Sequence, residues 1–229
     1  MKVSLIIFPG SNCDNDAKIA LEKLIKAKVN MVWHKETSLP KTDLIVLPGG
    51  FSYGDYLRPG SIASKSHILF DIIKNGKKGT PILGICNGFQ ILTEAKLLPG
   101  TLTRNIQLKF ICENTYLRVV NNDTIFSSRY NNNEIINIPI AHHDGNYFAP
   151  DHTINELEDS NRIIFKYCDK DGFVTKTTNP NGSINNIAGI VNDSKNILGM
   201  MPHPERAYDP LTKNIDGTKV FTSLLDIIL

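Results

Sequence analysis

Pro81-Ile82-Leu83-Gly84-Ile85-Cys86-Asn87-Gly88-Phe89-Gln90 is a short apolar run that ends at a cysteine with a glycine two residues to either side. An apolar, helix-compatible stretch, Phe89–Leu97, follows it. This is the strand–nucleophile–helix pattern of a nucleophile elbow, with Cys in the place of Ser. The turn is tight, so a Cβ at position 84 or 88 would crowd the strand or the helix. Such a turn lifts the sulfur out of the sheet at a helix N-terminus, where backbone N–H groups and the helix dipole favour thiolate over thiol. Cys86 therefore reads as a nucleophile for a carbonyl carbon. Cys13, Cys112 and Cys168 sit at no such turn and read as small apolar residues.

The rest of the first half alternates in type around the elbow. Val3–Phe8, Val29–His34, Leu44–Leu47 and Pro81–Ile85 read as strands. Asp16–Lys28, with Ile19, Ala20, Leu24 and Ala27 at helical spacing, and Ile62–Lys74 read as amphipathic helices. Continuous apolar strands alternating with helices predict an α/β fold with a largely parallel sheet covered on both faces. In the second half, Leu108–Val120, Glu134–Ala141, Arg162–Tyr167 and Ile187–Val191 read as strands joined by turns such as Asp169-Lys170-Asp171-Gly172. They predict a smaller antiparallel extension. Gly217–Leu229 reads as a closing helix with Val220, Leu224 and Ile227/Ile228 on one face. There is no repeat and no linker, so a single domain over 1–229 is expected.

The apolar fraction of 41% suffices for a sizeable core, and net charge is only +2 with no basic block, so nucleic acid is not an implied partner. The four cysteines show neither a CxxC pair nor metal-ligand spacing, which favours a reducing compartment and no metal site. Met1–Phe8 is apolar but is cut off by Pro9-Gly10, too short for a signal-peptide core. No apolar stretch approaches the ~18 residues that span a bilayer. These features predict a soluble, cytoplasmic protein.

A cysteine nucleophile needs a base, and the base an orienting partner. Pro202-His203-Pro204-Glu205 offers both, because residues i and i+2 of an extended segment point the same way and the prolines restrict the backbone. By itself the pattern is equally compatible with a surface turn; beside the elbow it reads as catalytic. His142 and His143 follow the strand Ile135–Ala141 and point to opposite faces, so they chelate poorly as a pair, and one of them suits a pocket-rim or hydrogen-bonding role. His34, His67 and His152 have no such context. The oxyanion of an acyl-transfer intermediate needs donors: the elbow supplies the N–H of Asn87, and the N–H of Gly50 in Pro48–Asp55 is the candidate for the second. No Gly-Lys-Ser/Thr follows that loop, so a P-loop is unsupported.

Taken together these residues resemble the class I (triad) glutamine amidotransferases, and the likeness runs essentially end to end. Its most specific parts are Pro9-Gly10-Ser11-Asn12-Cys13-Asp14, Pro48–Pro59, Gly84–Gln90, Asn179–Ile190 and Met200–Ala207. The resemblance implies a flavodoxin-like three-layer sandwich, with Cys86, His203 and Glu205 as the triad that hydrolyses glutamine through a thioester. The Phe51–Tyr56 loop and the Asn-Pro-Asn-Gly-Ser stretch narrow it to glutaminase subunits of purine biosynthesis. Such subunits deliver ammonia to a larger ATP-dependent synthetase that converts formylglycinamide ribonucleotide to formylglycinamidine ribonucleotide, usually with a small accessory subunit. ATP and Mg are then expected on the partner, and no cofactor in this chain. The family pattern points to Gln90, Asn105, Phe110 and His142 as glutamine contacts. Ala141-His142-His143-Asp144-Gly145 departs from the His-Gly-Glu-Gly of many members. The competing readings are the glutaminase of another complex, such as pyridoxal phosphate synthase, a non-catalytic binding relative, and a cysteine hydrolase of related fold.

Overall fold

Apolar, β-branched runs form the strands, and residues recurring every three or four positions form the helices. A computed structural model of the chain, which describes residues 1–227, contains β1 (Lys2–Ile7), β2 (Lys28–Trp33), β3 (Leu44–Leu47), β4 (Ile82–Ile85), β5 (Thr101–Thr103), β6 (Ile111–Val119), β7 (Ile135–His142), β8 (Asn146–Phe148), β9 (Ile163–Cys168), β10 (Ile187–Val191) and β11 (Ile197–Met200). The helices are α1 (Asp14–Ile25), α2 (His67–Lys77), α3 (Asn87–Glu94), α4 (Asp151–Asp159) and α5 (Thr218–Ser223). Nine strands form one sheet in the order β2-β1-β3-β4-β11-β10-β9-β6-β7, and β5 pairs with β8 in a separate ribbon.

The pairs from β2 through β11 are parallel. From β11 to β7 every pair is antiparallel. The sheet is thus mostly parallel around the elbow and antiparallel at one end, flanked by helices, as the patterning predicts. β3, β4 and β11 are buried along their whole length, which is why their sequences show no alternation. β7 buries every second residue, and Ile136, Ile138 and Ile140 face the core.

Several boundaries differ from the sequence expectation. α1 runs from Asp14 to Ile25 because Lys26 turns left-handed and closes it. Ile62–Lys74 is not one helix. Ala63–Lys65 makes a 3-10 turn, Ser66 is extended, and α2 starts at His67. The Ser66 hydroxyl bonds Tyr53 Oη at 3.3 Å rather than capping the helix. α3 stops at Glu94, short of Leu97, where the chain turns through Lys96 at φ 60°. β6 begins at Ile111 rather than Leu108, which itself has φ 54°. The closing helix is α5 plus a 3-10 turn, Leu224–Ile227; Val220 and Leu224 are buried as expected, and Ile228 lies outside the described residues.

Four elements were not legible. β11 is four residues long and contains a glycine, α4 buries only Ile154 and Leu157, and β5 and β8 are three residues each. β11 matters most, because it lies beside β4 in register, Gly199 against Gly84 and Met200 against Ile85. The carboxyl ends of β1, β3, β4 and β11 therefore meet at one edge of the sheet, where open α/β folds place their sites.

Candidate active site

β4 ends at Cys86, whose backbone is at φ 49°, ψ −102°. A non-glycine residue held there stores on the order of 1–3 kcal/mol of strain. The surroundings enforce it. Cys86 N–H donates to Met200 O at 2.7 Å, and Gln90 N–H closes the first helical turn onto Cys86 O at 3.2 Å. α3 lies directly on the strands: a Cβ on Gly84 would stand 2.5 Å from Leu92 Cδ1, and one on Gly88 would collide with Leu47 O. Cys86 Sγ approaches Ala141 O at 3.8 Å and is 4% exposed. The N–H of Asn87 opens α3 and donates to no other group among the described residues.

β11 delivers the second component. After Met200 the chain continues to His203, whose N–H donates to Pro139 O at 2.8 Å. Pro204–Arg206 then form a 3-10 turn with proline at its start. His203 and Glu205 are therefore not two like-facing positions of an extended segment, as the sequence suggested. The turn itself swings the carboxylate round, and His203 Nδ1 bonds Glu205 Oε1 at 2.6 Å. Both side chains are buried. Burial alone would lower the His203 pKa. The Glu205 carboxylate, with smaller help from the thiols of Cys86 and Cys13, outweighs it and raises the pKa well above the ordinary value. Nδ1 is committed to Glu205, so Nε2, which has no hydrogen-bond partner among the described residues, is the nitrogen free to exchange a proton.

The Gly49-Gly50 loop follows β3. A Cβ on Gly49 would lie 2.7 Å from His203 Cε1, and Gly50 is at φ 140°, pressed on Gly10 O and Asn12 N. Only glycine fits that approach. The N–H of Gly50, like that of Asn87, donates to no other group among the described residues. Asn87 ties loop to elbow: Ser52 N–H donates to Asn87 Oδ1 at 3.3 Å, and Asn87 Nδ2 donates to Gln90 Oε1 at 2.9 Å. Gln90 Nε2 donates to Asp144 O at 2.7 Å, so both ends of that amide are engaged by the chain itself.

His142 closes β7 beside His203. It is 2% exposed, and Tyr147 further along is fully buried. Asn105 Nδ2 donates to the carbonyls of His142 and Lys109, so its Oδ1 accepts from His142 Nδ1 at 3.1 Å and from Gly145 N–H at 3.0 Å. Burial, reinforced by His203, pushes the His142 pKa down to about 3, so it stays neutral. Phe110 is half exposed, with its ring 6.2 Å from that of Phe51 above the loop. Asp55, Arg58, Arg104 and Asp144 line a cleft of about 270 Å³. Burial, with the Asp144 charge, lifts the Asp55 pKa to about 6.

Two features escaped the sequence reading. Asn181 Nδ2 and Ser183 Oγ both donate to Gly145 O, at 2.8 and 3.2 Å, so the Asn-Pro-Asn-Gly-Ser stretch braces the segment after His142. Cys13, read as a small apolar residue, instead reaches the site. Its sulfur lies within 4.8 Å of the donor atoms of His203 and Glu205, and Arg206 Nη2 donates to it at 3.2 Å. Cys112, read the same way, is exposed. Cys13, His203 and Glu205 have metal-binding side chains, but the guanidinium on the sulfur places a positive charge where a cation would sit. The trio is better suited to proton chemistry.

Known proteins resemble this chain along its length. The CobB/CobQ-like glutamine amidotransferase domain family matches residues 1–223. Phosphoribosylformylglycinamidine synthase subunit PurQ of Chlorobium luteolum is 50% identical over 222 residues, covering 97% of this chain and 96% of that protein. The structure of PurLQS from Thermotoga maritima superposes with a TM-score of 0.88 at 42% identity, over 100% of this chain and 99% of that one. The glutaminase domain of Trypanosoma brucei CTPS, solved with bound acivicin, shares the fold at a TM-score of 0.62 and 12% identity, over 99% of this chain and 93% of that one.

Proposed function

Because the chain belongs to the CobB/CobQ-like glutamine amidotransferase family, we propose that Cys86, His203 and Glu205 hydrolyse the side-chain amide of glutamine through a thioester on Cys86. The chain acts as the glutaminase subunit that supplies ammonia for formylglycinamidine ribonucleotide synthesis in purine biosynthesis, in complex with a larger synthetase and a small accessory subunit. ATP, with Mg, is consumed on the synthetase, and the complex works in the cytoplasm. No helix among the described residues is long and apolar enough to cross a membrane. Residues 1–229 act as one amidotransferase domain.

In the first half-reaction Cys86 Sγ attacks the amide carbonyl carbon. The N–H groups of Asn87 and Gly50 are the donors for the oxyanion. His203 Nε2 gives its proton to the departing nitrogen, which leaves as ammonia. In the second half-reaction His203 takes a proton from water, which attacks the thioester and releases glutamate and the free thiol. Glu205 holds the imidazole in the tautomer that leaves Nε2 reactive. The cleft between Asp55, Arg58, Arg104 and Asp144 carries both signs of charge that an amino-acid zwitterion needs. Asp144 is tied through its carbonyl to Gln90. Asn105 and His142 shape the wall beyond, and Phe110 lies at the rim.

The observation that carries this reading is the buried 2.6 Å His203–Glu205 bond, with Nε2 unpartnered at the sheet edge where the elbow presents its thiol. Cys86→Ala in the assembled complex tests it. Glutamine-dependent synthesis should vanish while synthesis from added ammonia persists. Full glutamine-dependent activity in that variant would refute the nucleophile assignment, and the acceptor that consumes ATP separates this pathway from other ammonia-using complexes.

A further inference from the structure

The stretch Pro9–Asp14 has no part in the reaction as described, yet its cysteine touches the machinery. Cys13 stands where the turn after β1 enters α1, and its N–H donates to Gly49 O at 3.3 Å. It is 3% exposed. Its sulfur lies within 4.8 Å of the donor atoms of His203 and Glu205; Arg206 Nη2 donates to it at 3.2 Å, while Arg206 Nε donates to Asp16 Oδ2 at 3.3 Å. Arg206 directly follows Glu205 in sequence, so a cation stands near the carboxylate and feels its charge, yet it donates its hydrogen bonds to Asp16 and Cys13 instead. Glu205 Oε2 is buried and accepts from no group among the described residues.

A guanidinium turned onto that oxygen would form a strong charge-assisted bond. It would also cancel much of the negative charge that His203 needs. We propose that Cys13 is a positioning residue for the His203–Glu205 pair: its sulfur keeps the Arg206 guanidinium from bonding the free oxygen of Glu205, leaving the carboxylate to act on the imidazole. The charged and titratable groups acting on His203 are Glu205 on its own turn, Cys13 at the entry to α1, Cys86 at the elbow and His142 of β7, while Asp16 of α1 bonds Arg206. Lys219 of α5 is paired with Glu134 instead. This inference rests on the glutaminase reading.

The test is the pH dependence of glutamine-dependent synthesis by the assembled complex, normalised at each pH to ammonia-dependent synthesis by the same preparation. In Cys13→Ala the guanidinium is free to reach Glu205, and the alkaline limit of glutamine use should fall by about one pH unit, the usual effect of a nearby charge. Cys13→Ser, whose hydroxyl can also accept from Arg206, should keep the wild-type limit. Cys13→Ala combined with Arg206→Gln should restore it. An unmoved limit in Cys13→Ala, whatever its kcat, overturns the proposal, as does a double variant that stays shifted. Arg206→Gln alone probes the same balance without touching the thiol. Its limit should stay or rise, and a fall would show that the guanidinium supports the carboxylate, which also overturns the proposal. A wild-type complex active with ammonia but inactive with glutamine would defeat the glutaminase reading, and the proposal with it.

Discussion

Replacing Glu205 by Gln keeps the shape of the turn and the hydrogen bond to His203 Nδ1 but removes a buried negative charge. That carboxylate is the largest favourable influence on the imidazolium, and it lies 2.6 Å from Nδ1 with both side chains out of solvent. With charge centres ~4 Å apart and an effective dielectric of ~20, the attraction lost is about 4 kcal/mol. The transition state for ammonia departure draws its proton from His203, so the loss appears in the barrier, and about 4 kcal/mol corresponds to roughly a thousandfold fall in kcat. The sign for pH follows. Because the His203 pKa in the folded chain is raised, losing the carboxylate lowers it, and the alkaline limit of glutamine use moves down. For the same reason the pair's contribution to stability is present below the unfolded histidine's pKa and is lost as pH rises through the folded one. The assay is glutamine-dependent against ammonia-dependent synthesis by the assembled complex. A fall of less than tenfold in glutamine-dependent kcat, or an equal fall with ammonia, would refute the reasoning.

Gly88→Ala should destabilise the chain by about 3 kcal/mol, near the upper end for overpacking, because the new methyl meets the backbone of β3 rather than a mobile side chain; urea midpoints measure it. Gly79→Ala, at φ 94° with nothing within 4 Å, should cost only about 1 kcal/mol of backbone strain. His142, neutral in the fold until about pH 3, should make the protein acid-labile. Its pKa is depressed, so below pH ~6.5 the unfolded chain binds a proton that the folded chain does not, and stability drops by ~1.4 kcal/mol per pH unit. The loss of stability between pH 7 and pH 5 should therefore be about 2 kcal/mol smaller in His142→Gln than in wild type. Parallel urea curves at the two pH values would contradict the buried, neutral assignment.

What the chain determined by itself is local. An elbow needs only a strand, two glycines at fixed spacing and a helix, all close in sequence, so Cys86 and its backbone geometry were legible in residues 81–97. The same holds for the buried parallel strands, whose unbroken apolar runs record that both faces are covered. Tertiary structure decided the rest. The short strand β11 shows no periodicity of its own, yet its place beside β4 is what brings His203 to Cys86. The 3-10 turn that turns Glu205 toward the imidazole replaced the extended geometry that local reasoning supplied. Cys13 and Arg206, 193 positions apart, meet because β1 and β11 end at the same edge of one sheet. Side-chain pattern reports which face of an element is buried, whereas which elements lie side by side is set by long-range strand pairing, and at this site that pairing brings the reacting groups together.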